Sequence, residues 1–502
     1  MLHLRAAVLL VLSAFTTALQ AQAPTPASVP APPPPSAVAR YIKVPADSIV
    51  YLNHVRVIDG TGAPAVEDET IVLRHGKIEA VLPHGNGLGT SEPLPIIRLD
   101  LTGRTVIPGI VGMHDHMYGI ARPNADAEGH SEPPLVVPQM TFTSPHLYLG
   151  AGVTTLRTTG SVEPYTDLNL KSQIDAGKLP GPHMDVTAPY LEGANSPFIQ
   201  MHQLKDAQDA RATVDFWAAQ GATSFKAYMN ITRAELKAAI DEAHKLGLKL
   251  TGHLCSVTYP EAAALGIDNL EHGFFVNTQL DPGKQPDTCP STTGGPTLAR
   301  MSAGSPEAAA LIKLLVDHHV ALTSTLPVFE SSDPRHLKLQ PRVLETMSAP
   351  TREAYLYTRN LELNRPTPAG APDRAQNFRN GMALERAFVA AGGLLLAGPD
   401  PTGDGGTLPG FGDQREIELL VDAGFSPVEA IKIATLNGAV YLGREKSIGS
   451  VAPGKNADLV IVKGDPSQHI ADIENTEIVF KDGVGYDSEK LLDSAKGRYG
   501  QY

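Results

Sequence analysis

The chain has 502 residues, of which 42% are hydrophobic, enough for one large domain with a substantial core and a smaller one beside it. Its formal net charge of −13, with Lys and Arg scattered along the chain, leaves no basic footprint for a phosphate backbone, so nucleic acid is set aside as a partner. Two cysteines, Cys255 and Cys289, are too few for a disulfide scaffold, and whether they form one bridge or stay as thiols is open from sequence.

Residues 1–21 carry Arg5 ahead of an apolar run from Ala6 to Phe15 and then small residues, the layout of a cleavable signal peptide. The expectation is export, to the periplasm or the medium. No later stretch is apolar enough to span a bilayer, so no integral membrane segment is expected once the signal is removed. Residues 22–40 form a Pro-rich linker, expected to be an extended tether. From 41 to 105, short β-rich runs alternate with turn residues such as Asp59-Gly60 and His75-Gly76, which suits a small antiparallel sheet. Residues 444–487 have the same texture, with strand-like Asp458–Val462 and Ile478–Phe480 and the turn Lys481-Asp482-Gly483. The two ends of the chain are therefore expected to complete one β-sandwich, and 488–502 reads as a C-terminal tail.

Between them, over 106–443, eight strand-like runs alternate with amphipathic helices: TVIPGIVGMHDH, GVTTLRTT, HMDVTAP, ATSFKAYM, KLTGHL, IDNLEHG, VALTSTL and GLLLAGPD. Such alternation defines an α/β protein, and eight units predict a (β/α)8 TIM barrel, with an open doubly wound sheet as the alternative. Two connections are long: the one containing DPGKQPDTCPSTTGGP, and the one from Phe329 to Arg386 that precedes the last run. Loops of that length often cover a site.

His114-Asp115-His116 ends the first run, so on a strand the two imidazoles share one side and Asp115 takes the other. Alone, that pair is weak evidence, because two histidines on one face can be hydrogen-bonded core residues. Lys226 in TSFKAYM, His253 in LTGHL, His272 in NLEHG and Asp400 in LLLAGPD each end a different run. In a barrel those ends converge on one face, and buried charges there cost several kcal/mol unless they are paired or metal-bound. His114, His116, Lys226, His253, His272 and Asp400 are therefore the candidate metal ligands. For Asp400 the competing reading is a turn or cap carboxylate in GPDPTGDGG. His318 and His319 lie at the start of the seventh run, the wrong end for the site, and read as structural.

The motif PGIVGMHDHMYG and the segment EIELLVDAGFSPVEAIKIATLNGAVYLGREKSIGSVAPGKNADLVIVKGDP resemble the amidohydrolase superfamily, a likeness that runs from about Tyr41 to Asp487. A Lys on the fourth run resembles its binuclear branch, which includes metal-dependent Xaa-Pro and Xaa-basic dipeptidases and ochratoxinase-like amidases. The resemblance implies that CO2 converts Lys226 to a carbamate bridging two divalent metal ions, with His114, His116 and Asp400 on one and His253 and His272 on the other. The chemistry agrees, since an ammonium beside two such ions would be repelled whereas a carbamate supplies oxygen ligands. Zinc is the first choice, with Mn, Co or Fe also suited. A metal-bridging hydroxide would then attack a polarised carbonyl, and Asp400 would act as general base and afterwards as acid. Tyr228 lies two residues past Lys226; a Tyr at that offset in the resembling dipeptidases helps hold a substrate carboxylate, the alternative being a packed aromatic.

The expected function is hydrolysis of an amide or peptide bond in a small molecule, a dipeptide or N-acyl amino acid. A cyclic-amide hydrolase or deaminase using the same metal site is a second reading, and a non-catalytic metal- or peptide-binding protein a third. Many relatives carry Arg-Asp after the second strand and Gly-Gly-His after the third, where this chain has Arg157-Thr158-Thr159-Gly160 and Glu192-Gly193-Ala194-Asn195. Those departures leave the substrate open, as are the native metal and whether the chain forms a homo-oligomer.

Overall fold

Short runs of alternating apolar and polar residues near the N-terminus fold into six strands: β1 (Ile42–Val44), β2 (Ile49–Val57), β3 (Val66–Arg74), β4 (Lys77–Pro83), β5 (Ile96–Asp100) and β6 (Arg104–Pro108). The computed structural model describes residues 37–85, 92–119, 135–196, 198–330, 337, 339–364, 366, 373–402 and 406–500. The signal segment 1–21 and linker residues 22–36 lie outside them; the end of the expected linker packs, with Val38 buried.

The run read as one strand, TVIPGIVGM, divides at Gly109. β6 stays with the N-terminal strands, and β7 (Ile110–Gly112) begins a parallel sheet. The expected antiparallel sheet is in fact mixed, since β2 runs parallel to β5 and β6, and its N-terminal part extends to Pro108, three residues beyond the boundary expected at 105. A Cβ at Gly109 would overlap the Thr154 side chain, so the crossing of one sheet into the next needs glycine. Seven more strands follow: β8 (Val153–Arg157), β9 (His183–Asp185), β10 (Ser224–Ala227), β11 (Lys249–Gly252), β12 (Asn269–Glu271), β13 (Ala321–Ser324) and β14 (Leu395–Ala397). All eight expected runs therefore contain a strand. β7-β8-β9 form one parallel sheet and β10 to β14, in sequence order, another. Most of their residues are buried, as expected of parallel strands covered on both faces.

The chain then returns through β15 (Leu459–Lys463), β16 (Thr476–Lys481) and β17 (Val484–Asp487). These join the first strands in a nine-stranded sheet of order β1-β17-β16-β15-β6-β2-β3-β4, with β5 beside β2. The seam between the two chain ends is the antiparallel pair β6 and β15, which runs from Pro108↔Leu459 to Arg104↔Lys463. One core of this sheet mixes both ends, with Val50, Leu52, Ile71 and Val106 against Leu459, Ile461 and Phe480. Residues expected as a tail contain a helix, Ser488–Ala495. Asp487 caps it by accepting the Lys490 N–H at 3.2 Å, and Leu491 and Ala495 are buried. No helix among the described residues is long and apolar enough to cross a membrane.

Behind the parallel strands lie buried carboxyls without cationic partners. Glu385, on the helix Arg374–Ala390, accepts the Ser324 hydroxyl at 2.8 Å through Oε2, while its buried Oε1 has no hydrogen bond. Burial pushes its pKa up to about 8, against a small opposing effect of the Ser324 hydrogen bond. A carboxyl raised in the folded state contributes its stability below the unfolded pKa of 4.5 and loses it as pH climbs through about 8. Glu385→Gln should therefore match the wild type at pH 5 and exceed it at pH 9 by about 3 kcal/mol. Urea unfolding at the two pH values checks this; a difference independent of pH would refute it.

Candidate metal centre

Each candidate ligand sits at or just past the C-terminal end of a parallel strand. His114 and His116 follow β7, Lys226 is the third residue of β10, His253 follows β11, His272 follows β12 and Asp400 lies three residues beyond β14. Backbone hydrogen bonds draw the outermost ends together: Met113 N–H donates to Ala397 at 2.8 Å and Asp400 N–H to His114 at 3.0 Å. A Cβ on Gly398 would overlap the His114 backbone, so this approach also requires glycine. His272 and Asp400 both adopt left-handed backbone, with φ of 68° and 53°. Such strain persists where surrounding structure enforces it, and it gathers at functional sites.

The six residues converge. His116 Nε2 lies 3.0 Å from Asp400 Oδ1, and His114 Nε2 lies 3.6 Å from the same oxygen. His272 Nδ1 is 4.0 Å from Asp400 Oδ2, and His114, His272 and Asp400 offer ligand atoms all within 4.8 Å of one another. The Lys226 ammonium nitrogen is 3.1 Å from His114 Nε2, and the His253 ring centroid is 4.4 Å from that of His272.

The arrangement fits metal ions, because His114 and His116 are anchored through Nδ1 and turn Nε2 toward Asp400, while His272 is anchored through Nδ1 beside it. His114 Nδ1 meets Glu271 Oε2 at 2.8 Å, His116 Nδ1 meets the Thr158 carbonyl at 2.9 Å, and His272 Nδ1 meets Thr325 Oγ1 at 2.9 Å. Partners of this kind fix the tautomer and orientation of metal-binding histidines. His272 Nε2 is buried with no hydrogen-bond partner. Burial, aided by Lys226, lowers His114 to about 4 and His253 to about 3, and burial also lowers His116 and His272, so the rings are neutral as ligation requires. Asp115 faces the other way, as expected. It shares the space beside Gly112 with Asp413, and burial together with that second carboxyl drives its own pKa far up.

Lys226 is 1% exposed. Burial lowers its pKa to about 8, although Glu271 and Asp400 pull upward. A neutral amine at moderate pH is the form able to add CO2. Glu271 does not hydrogen-bond Lys226: its oxygens take His114 Nδ1, Arg157 Nη2 at 2.8 Å and the Thr251 hydroxyl.

Reading the sequence for ligands misses the groups that hold the ligands. Arg157, fully buried, donates to the Met113 carbonyl through Nε at 2.9 Å and links it to Asn269 and Glu271. Burial pushes the Glu271 carboxyl up, but Arg157, His114 and Lys226 outweigh it and hold the pKa at about 2. Tyr118 stacks on His116, centroids 4.4 Å apart, and its hydroxyl lies 2.5 Å from that of Tyr190. Tyr228 packs edge-on to both Tyr190 and His253, at 4.9 and 5.0 Å. Tyr118 repeats the two-residue step from His116, a signal that was present; Tyr190 carried none. His318 and His319 cap the far end of the helix Pro306–Asp317, away from this cluster.

The long connections lie beside the site. Cys255, two residues past His253, is joined by a disulfide to Cys289 with Cα atoms 4.8 Å apart, which ties the loop after β12 to the loop after β11. Phe275 from that loop stacks on Phe329 at 4.2 Å, and Phe329 reaches the His272 ring at 5.7 Å.

The model of the amidohydrolase family matches residues 403–484. Among curated proteins, adenine deaminase 3 of Rhizobium meliloti is 42% identical over 57 residues, 11% of this chain and 10% of that protein. The 5-methylthioadenosine/S-adenosylhomocysteine deaminase of Moorella thermoacetica is 34% identical over 100 residues, 19% of this chain and 23% of that protein. The chain thus spans a tenth to a quarter of the length of these curated relatives. Solved structures match over far more. A putative prolidase from Bifidobacterium longum aligns with TM-score 0.60 and 23% identity over 90% of this chain and 100% of that one. Bottromycin amidohydrolase aligns with TM-score 0.64 and 21% identity over 94% of both chains. The ochratoxinase of A. niger aligns with TM-score 0.59 and 16% identity over 87% of this chain and 95% of that one. On these matches residues 403–484 resemble the amidohydrolase family, and the solved structures share the fold of this chain.

Proposed function

We propose that this protein is an exported metal-dependent amidohydrolase that cleaves the amide or peptide bond of a dipeptide or N-acyl amino acid. The observation that carries it is the convergence of His114, His116 and His272, each anchored through Nδ1, on Asp400 and on a buried Lys226 with a lowered pKa. His114, His116 and Asp400 would hold one divalent ion, His253 and His272 the other, and a carbamate on Lys226 would lie between them. Zinc suits this donor set. When bound, the ions supply Lewis acidity at the carbonyl and acidify water.

The chain's own groups do the rest. Asp400 is placed to take the proton of the attacking water and hand it to the leaving nitrogen. Glu271 and Arg157 keep the His114 ring aimed. Tyr228, with the Tyr118–Tyr190 pair beside it, supplies hydroxyls that suit a substrate carboxylate. The two parallel sheets are read as arcs of one (β/α)8 barrel, in support of which isolated bridges Thr187↔Ser224 and Leu191↔Ala227 link their neighbouring edges. The sandwich, from 41–108 and 444–487, flanks this barrel of 109–443. Export rests on the signal-like residues 1–21, and a Cys255–Cys289 disulfide suits an oxidising compartment. The amide substrate is favoured by the likeness to a solved Xaa-Pro dipeptidase, 19% identical over 88% of this chain with TM-score 0.63.

The test is a turnover screen of metal-loaded protein against dipeptides and N-acyl amino acids, alongside elemental analysis. Hydrolysis is expected with about two divalent ions per chain and is abolished by chelators. An active preparation free of metal would overturn the proposal.

A further inference from the structure

A second group of ligand-type side chains lies away from this centre, where the parallel strand β9 meets the nine-stranded sheet. His183 opens β9, Asp458 immediately precedes β15, and Asp482 occupies the tight turn between β16 and β17 with φ 50°. One ligand atom from each lies within 4.8 Å of the others. His183 Nε2 is 2.9 Å from Asp482 Oδ2.

Hydrogen bonds and Lys481 satisfy this group only in part. Asp458 is 4% exposed; its Oδ1 accepts the Asp482 backbone N–H at 2.7 Å, while its Oδ2 is buried with no partner. His183 Nε2, although close to Asp482, is also buried without a properly aligned hydrogen bond. Lys481 Nζ approaches only Asp482, at 3.7 Å, and Asn456 Nδ2 lies 3.4 Å from Asp482 Oδ1. On the far side of the imidazole, Nδ1 is 3.8 Å from Asp175 Oδ1 at the end of the helix Pro164–Asp175. Two adjacent carboxylates, one of them buried, cost free energy that a positive charge between them would remove.

We propose that His183, Asp458 and Asp482 form a structural binding site for a single divalent transition-metal ion, independent of the hydrolytic centre, that pins the nine-stranded sheet to the parallel strands. One imidazole and two carboxylates suit zinc, with water completing a tetrahedron. Donors at about 2.1 Å from a tetrahedral ion stand about 3.4 Å apart, so on binding the His183–Asp482 pair, now at 2.9 Å, opens slightly while any wider pair closes. The ion adds a clamp between segments far apart in sequence, and binding to the folded state alone raises the unfolding temperature.

The experiment equilibrates the full chain with zinc and counts bound metal by elemental analysis in the wild type, in His183→Gln and in Asp458→Asn. Each variant is expected to hold about one equivalent less than the wild type. Removing the hydrolytic ligands in a His114→Ala/His116→Ala variant should leave this equivalent in place, so failure of the hydrolytic reading does not affect the result. Should Asp458→Asn fold poorly, anomalous scattering at the zinc edge from wild-type crystals decides: a peak among the three side chains supports the site. Equal zinc content in wild type and His183→Gln, or crystals without such a peak, would overturn it.

Discussion

Asp400→Asn is expected to lower kcat by about a thousandfold or more while the protein keeps its fold and most of its metal. Asp400 is held by contacts the substitution preserves: its backbone N–H donates to His114, and Thr402 N–H donates to its carbonyl at 2.8 Å. An amide oxygen can still sit 3.0 Å from His116, where the carboxylate stands. What the amide cannot do is accept a proton and release it again. The loss should therefore fall on kcat with little change in KM, the pattern of a group whose work is done in the transition state. Turnover within a few-fold of the wild type, at unchanged metal content, would remove Asp400 from the proton-transfer role.

Lys226→Ala should abolish activity and release about one of the two ions, and added acetate or propionate should restore part of each by filling the space left behind. An ordinary buried lysine would behave otherwise. Its ammonium would need a carboxylate, yet among the described residues its only hydrogen-bond contact is His114 Nε2, and Glu271 is committed to His114, Arg157 and Thr251. Without a carbamate, Lys226 is a buried group with an unfavourable charge, so its removal would leave stability unchanged or improved. Metal content and turnover of Lys226→Ala, with and without the short carboxylates, separate the two. Full metal and full activity in the unrescued variant would end the bridging role.

The strands were readable because each is buried on both faces and so is written as a short apolar run. Their C-terminal ends were readable because a His, Lys or Asp interrupts the run. The division at Gly109 was not readable, since VIP and IVG are equally apolar and only pairing distinguishes Val106↔Ile461 in one sheet from Val111↔Thr155 in another. Nor could sequence reveal that Arg157 reaches Glu271 across 114 positions, because the contact exists only once β8 and β12 share an interior. The helix Ser488–Ala495 is not legible in the sequence, where 488–502 reads as a tail. Its signals, the Asp487 cap and Leu491 with Ala495, are too few to stand out in eight residues, and its docking onto the helix Thr143–Gly150 is tertiary, through Ser488 Oγ donating to the Gly150 carbonyl at 2.5 Å. The disulfide was undecidable for the same reason: only the fold brings the two Cα atoms to 4.8 Å.

The pairing of β6 with β15 also dictates an order of events during synthesis. Arg104–Pro108 leaves the ribosome long before Leu459–Lys463 exists, and until then the edge of β6, with Val106 and Ile107 destined for burial, has no neighbour to cover it. Nascent chains of this design cannot finish this sheet until residues 459–463 arrive, so closure across that separation comes late and slowly. A ribosome that stalls or terminates early releases a product with an open, apolar strand edge, which quality control can recognise as unfinished.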